Sequence, residues 1–219
     1  MRRYKLNKEE INEVLKILGS LYPDAKSELD YSNPFELLIA TILSAQCTDV
    51  RVNQVTKSLF PKYSDPYKME ELNVKELGEI IHSCGFYHTK ASNILKTCKI
   101  LIEEHKGKVP SNREELVKLP GVGRKTANVV ISNVFDQDAI AVDTHVFRVT
   151  NRLGIVKADN VEDTEQELMK KIPKPMWSEA HHWFILHGRR VCKARKPLCD
   201  MCEVNHLCIM YRKSGLQKI

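Results

Sequence analysis

Four cysteines crowd the C-terminal end of the chain: Cys192, Cys199, Cys202 and Cys208, spaced C-x6-C-x2-C-x5-C within 17 residues. Four thiolates converging on one site can hold a tetrahedral zinc ion or the four irons of a [4Fe–4S] cluster. Structural zinc usually takes two close pairs separated by a longer loop. Here the first cysteine stands alone, six residues ahead of a C-x2-C core, and that spacing points to iron–sulfur, with zinc as the alternative. The remaining cysteines, Cys47, Cys84 and Cys98, fall in apolar helical patterns and read as packing residues.

Charge follows the cysteines. The chain carries 34 Lys/Arg against 28 Asp/Glu. From Arg189 onward there are eight basic residues and two acidic ones, which leaves 26 of each in the first 188 residues. The whole positive excess therefore surrounds the cysteine loop, where Lys193, Arg195 and Lys196 alternate with the candidate ligands. A basic patch held rigidly in this way is a footprint for a polyanion.

A second constellation lies mid-chain. Leu119-Pro120-Gly121-Val122-Gly123-Arg124-Lys125-Thr126-Ala127 sits between two helical patterns. Pro120 ends the first, and the glycines allow positive φ and close backbone approach. The N–H groups opening the second helix can then receive a phosphate, so Gly121, Val122 and Gly123 are candidate backbone contacts of a helix-hairpin-helix. A dinucleotide fingerprint would need a buried strand before the glycines; a capped helix precedes them instead. Lys125 falls in the first turn after the hairpin. A lysine amine becomes a nucleophile when desolvation or neighbouring positive charge, here Arg124 or the helix N-terminus, favours its neutral form. Asp143 opens Thr144-His145-Val146-Phe147-Arg148 and has the chemistry of a helix N-cap. His145 and Arg148, one turn apart, can reach phosphates.

The elements that must position these groups read as helices. Ile11, Val14, Leu15 and Leu18 form one apolar stripe; Ala91, Ile94, Leu95, Cys98, Leu101 and Ile102 form another. Asn33-Pro34, Asn73…Glu76 and Ser111…Glu114 are start signals, and Gly107 and Gly154 are stops. The one strand-like run, Ala139–Val142, has no partner nearby. About ten helices in an all-α chain are expected. Met1–Glu10 is charged rather than apolar, and no run approaches the roughly 18 apolar residues of a membrane span. The expectation is an intracellular protein with reduced thiols.

Taken together, LSAQCTD (Leu43–Asp49), LPGVGRKTA (Leu119–Ala127), VDTHVFRVTNR (Val142–Arg152) and the cysteine loop resemble the endonuclease III family of DNA glycosylases along essentially the whole chain. The resemblance implies an all-α fold of two helical domains with a DNA-binding cleft between them. Residues 24–137 would form a six-helix domain with the hairpin at about 110–130; residues 1–23 and 138–219 would form the domain of the [4Fe–4S] cluster. It implies that Lys125 attacks C1′ of a damaged nucleotide and forms a Schiff base, that Asp143 supports the developing charge, and that β-elimination nicks the strand 3′ to the site. Gln46 matches the family's gap-filling glutamine. Phe86 stands where the family usually carries a leucine wedge, which leaves opposite-base preference open; a core role is its alternative. The implied substrate is double-stranded DNA bearing oxidised pyrimidines or abasic sites, and the implied state a cytoplasmic, nucleoid-associated monomer of bacterial or archaeal origin. Two competitors are a non-catalytic helix-hairpin-helix binding module and a base-only glycosylase. The pairing of Lys125 with Asp143 argues against the first. Lys125 and the short stretch after Cys208 argue against the second.

Overall fold

The structure, a computed structural model, describes residues 5–214; Met1–Tyr4 and Gly215–Ile219, with Lys218 of the basic segment, lie outside. The described residues form helices and loops with no strand, and Ala139–Val142 falls in a loop. The chain divides into two compact units, Ser27–Gln137 and the combination of Met1–Lys26 with Asp138–Ile219.

In the central unit, α2 (Pro34–Leu43) is apolar on every side, and its residues from Phe35 to Leu43 are buried. Against it pack α3 (Asp49–Leu59), α6 (Tyr87–His105) and α8 (Arg124–Val134), while α4 (Pro66–Glu70) and α5 (Val74–Ile81) pack on α6 and α7 (Arg113–Leu116) on α8. Seven helical segments thus appear where the resemblance implies six; α4 and α7 are single turns of five and four residues. The capping signals act as their residue types dictate. Asn33 caps α2, with Pro34 at its first position, and Asn73 and Glu76 form a reciprocal capping box. One signal is displaced: α7 is capped by Asn112, whose Oδ1 accepts from Glu115 N at 2.8 Å, rather than by Ser111. Asparagine is as good a cap as serine, so a one-residue shift costs little.

In the second unit, α1 (Lys8–Leu21) and α9 (Thr144–Leu153) pack with α11 (Trp177–Arg190), and α10 (Val161–Lys171) and α12 (Ile209–Lys213) complete it. The predicted stripe Ile11, Val14, Leu15 and Leu18 is buried in this core with Val146, Val149, Leu153 and Phe184. Each such side chain contributes about 2 kcal/mol by leaving water. Gly19 lets α1 approach closely, since a Cβ there would meet the Trp183 ring at 3.1 Å.

The three histidines flanking Trp183 are buried in α11, as packing requires. His181 and His182 stack with ring centroids 3.9 Å apart. Burial, aided by the Arg189 guanidinium, pushes the His182 imidazole from 6.5 down to about 4. Between those values the unfolded chain holds more protons than the folded one, so stability falls as pH falls through that window. Unfolding in urea at pH 7 and pH 5 should differ by about 2 kcal/mol from this group alone. His182→Leu should remove that increment from the pH dependence; an unchanged slope would show that His182 takes up its proton without unfolding.

Candidate functional site

Most helices begin with a side-chain cap, supplied by Asn7, Asn33, Thr48, Asp65, Asn73, Asn112, Asp143 or Asn160. Two that do not are α8, which begins at Gly123, and α6, which begins at Phe86. Both are sites where a DNA strand is expected. In the hairpin, Gly121 is left-handed at φ +79, and a Cβ there would press on Asn93 of α6 at 3.1 Å. Thr97 Oγ1, one turn further along α6, donates to Pro120 O at 3.0 Å. Val122 is buried and closes the turn with a bond from its N–H to Leu119 O at 3.0 Å. The hairpin is thereby braced from behind by α6, and Gly121 and Gly123 are exposed. Lys125 is exposed at the second position of α8, so its amine leaves the helix beside an N-terminus that no side chain caps.

Gln46 and Phe86 share an uncommon state. Both are exposed, Phe86 at 67%, and both have left-handed backbones, φ 54 and φ 47. The core alternative for Phe86 is therefore excluded. Such residues cost about 1–3 kcal/mol each and persist where the surroundings enforce them, commonly at working sites. Gly85, also positive at φ 66, precedes Phe86. Lys196 of the cysteine loop is a third exposed left-handed residue other than glycine among the predicted contacts.

In the second unit, Asp143 caps α9 through a single oxygen: Oδ1 accepts from His145 N at 2.7 Å and Val146 N at 2.8 Å. The cap does not require Oδ2. Burial, partly offset by the Asp143 carboxylate, holds His145 below the ordinary imidazole range. Arg148 is more committed than its spacing suggested. Its guanidinium donates to Cys192 O at 3.0 Å, Gly188 O at 3.0 Å and Thr144 O at 3.3 Å, with His145 Nδ1 3.1 Å away. Arg148 thus braces the cysteine loop rather than presenting a free fork to a phosphate.

Cys192, Cys199, Cys202 and Cys208 line one pocket with Leu153, His187 and Met210. Among the described residues, no three His, Cys, Asp or Glu groups converge on a single-ion site. Four thiols spread around one largely apolar pocket are the donor set of a cluster, which distributes its thiolates over separate irons. Burial pushes the Cys202 thiol up to about 11 and raises those of Cys199 and Cys208. Cluster binding removes these protons, because the ligand is the thiolate. The loop is held by groups that sequence reading missed. Arg152 donates to Lys193 O at 2.7 Å and Ala194 O at 3.0 Å, and its Nη1 lies 3.6 Å from Cys192 Sγ. His187 Nε2 lies 3.5 Å from Cys202 Sγ, and its Nδ1 3.3 Å from Tyr22 Oη. Fixed this way, the loop exposes Lys193, Arg195 and Lys196.

Residues 39–174 match the family described as HhH-GPD superfamily base excision DNA repair protein. The chain belongs to this superfamily. Residues 192–208 match the iron-sulfur binding domain of endonuclease III, bounded by the first and last of the four cysteines. The endonuclease III of Bacillus subtilis is 52% identical over 204 residues, covering 93% of each chain. That of Escherichia coli K12 is 49% identical over 203 residues, covering 93% of this chain and 96% of its own. Among solved structures, a non-covalent endonuclease III–DNA complex superposes with a TM-score of 0.91 at 51% identity, covering 95% of this chain and 98% of that one. A thermostable thymine-DNA glycosylase, at 23% identity and a TM-score of 0.81, shares the fold. With relatives this similar over nearly its whole length, the chain is a bifunctional DNA glycosylase and abasic-site lyase of base excision repair, with a [4Fe–4S] cluster and DNA as its partner. Within the superfamily frame, the hairpin is its helix-hairpin-helix, and the competing binding-module reading falls away.

Proposed function

We propose that this enzyme excises oxidised pyrimidines through Lys125. The amine attacks C1′, the bond from C1′ to the base breaks, and the base leaves with the electron pair and takes up a proton. The amine gives up a proton and the sugar ring opens at the C1′–O4′ bond, with O4′ taking the electron pair and a proton, to leave the protonated Schiff base. This acidifies the C2′ proton, and its removal expels the 3′ phosphate and nicks the strand. Asp143, through the oxygen its cap does not use, stabilises positive charge developing on the sugar. Gly121, Val122 and Gly123 take a backbone phosphate, Gln46 and Phe86 occupy the space a flipped base leaves, and Lys193, Arg195 and Lys196 contact flanking phosphates. His145 meets DNA as a neutral hydrogen-bonding group, and Arg148 acts through the loop it braces. The enzyme works as a cytoplasmic, nucleoid-associated monomer. Among the described residues, no helix is long and apolar enough to cross a membrane.

The observation that carries this reading is the exposed Lys125 at the opening of α8, directly after a hairpin braced from behind by α6. A covalent endonuclease III–DNA intermediate has been trapped for a protein 51% identical to this chain. The test is borohydride reduction during reaction with a duplex containing one thymine glycol. Expected is a covalent adduct whose peptide maps to Lys125; no adduct, or one on another residue, overturns the assignment.

Salt dependence tests the basic loop. Affinity for undamaged duplex should fall linearly on logarithmic axes, with a slope of about −0.9 per phosphate contacted. Replacing Lys193, Arg195 and Lys196 by alanine should flatten that slope by roughly 0.9 for each lost contact. An equal slope would place the DNA elsewhere.

A further inference from the structure

Lys90 lies on the apolar stripe of α6, four residues before Ile94, where a lysine is out of place, and it is only 5% exposed. Its Nζ donates to Leu43 O at 2.8 Å and to Cys84 O at 2.6 Å. Leu43 is the last residue of α2, three before Gln46; Cys84 closes a 3-10 turn, two before Phe86. A helix end leaves its final carbonyls without intrahelical partners, and one side chain here serves the carbonyls of both segments. The backbone of the same residue also participates, since Lys90 N donates to Phe86 O at 3.0 Å. Lys90 therefore joins the two loops whose exposed tips are the left-handed residues Gln46 and Phe86.

We propose that Lys90 is a positioning residue for base extrusion: it holds the loops of Gln46 and Phe86 at the spacing and pitch needed to enter the duplex together. This rests on the reading that Gln46 and Phe86 occupy the space left by the flipped base. A residue that enters the stack gains from rigidity, because ordering it at the moment of insertion subtracts from the energy available for extrusion. Burial lowers the basicity of the Lys90 ammonium, but charged or neutral the amine has at least two N–H bonds, enough for both carbonyls. The task is specific to intact nucleotides: an abasic sugar has no base to unstack.

The experiment compares Lys90→Met with the unaltered enzyme on two substrates under single turnover, one duplex with thymine glycol and one with a pre-formed abasic site. A 2-aminopurine beside the lesion reports opening of the stack. Expected is a loss of roughly 100-fold in thymine glycol excision, the scale of an ångström-sized misplacement. The abasic-site nick should be far less affected, and the fluorescence rise should be lost. In a Gln46→Ala, Phe86→Ala background, Lys90→Met should change excision by less than about twofold, because coupled residues are not additive. Unchanged excision, equal losses on both substrates, or additive losses in that background would each overturn the proposal. If Lys90→Met does not fold, Lys90→Gln, which retains a donor, enters the same comparison. Failure of both to fold would make Lys90 a strut of the whole unit and overturn the proposal too. An unaltered enzyme that opens the stack without excising thymine glycol would instead defeat the Lys125 reading, with the Lys90 fluorescence comparison still decisive.

Discussion

Lys125→Gln is expected to bind duplex DNA with nearly unchanged affinity and to release no base. The substituted side chain is exposed at the second position of α8, where an uncharged residue of similar length leaves the fold intact. It cannot form a Schiff base, so excision, nicking and the borohydride-trapped adduct should disappear together. Loss of a nucleophile commonly costs more than about 1,000-fold, because no other group supplies the covalent route. Single-turnover assays on thymine glycol and on a pre-formed abasic site, with binding measured alongside, check this. Residual nicking of the abasic site with no adduct would assign part of the elimination to another base. A retained adduct would move the nucleophile away from Lys125.

Asp143→Asn is the second large effect, and the cap geometry makes it a clean test of charge. Asparagine offers the same Oδ1 to the N–H groups of His145 and Val146 that Asp143 now caps, and it caps helices as well as aspartate does. Thermal unfolding should therefore be nearly unchanged. Excision should slow by roughly 100- to 1,000-fold, the scale for removing one well-placed charge opposite a developing one. Nicking of a pre-formed abasic site should slow much less, since its aldehyde accepts an amine without building positive charge on a sugar still bonded to a base. Near-normal excision would return Asp143 to being a cap alone. Asp143→Ala, by contrast, should lose the cap as well and cost about 1 kcal/mol of stability.

The parts legible in the sequence were those in which a local rule leaves one outcome. Thiol donors at 6-2-5 spacing, Pro-Gly-x-Gly between two helical patterns, and Asn-Pro or Asn…Glu at helix starts act over at most 17 residues, so no distant segment is needed to read them. The all-α class followed from the same signals, because apolar stripes at helical spacing need only a neighbouring helix to bury them. Where local rules offered near-equal alternatives, reading stopped short by a residue, as in the choice of Asn112 over Ser111.

Tertiary structure decided what each polar group on those helices is used for. Arg148 and His145 show the spacing of phosphate ligands, yet Arg148 is turned inward because Cys192 O and Gly188 O, about 40 residues away in sequence, lie within its reach. Arg152 reaches the cysteine loop from 41 residues away in sequence and His187 from 15. Phe86 could be wedge or core until its left-handed backbone and its exposure were known. Lys90 left a signal that could have been seen, a lysine on an apolar stripe. Its meaning required the carbonyls of Leu43 and Cys84 brought together from different segments. The physical reason is common to these cases. A sequence determines which donors and acceptors exist and on which face of a helix they lie. Only the packing of distant segments determines which partner each one meets.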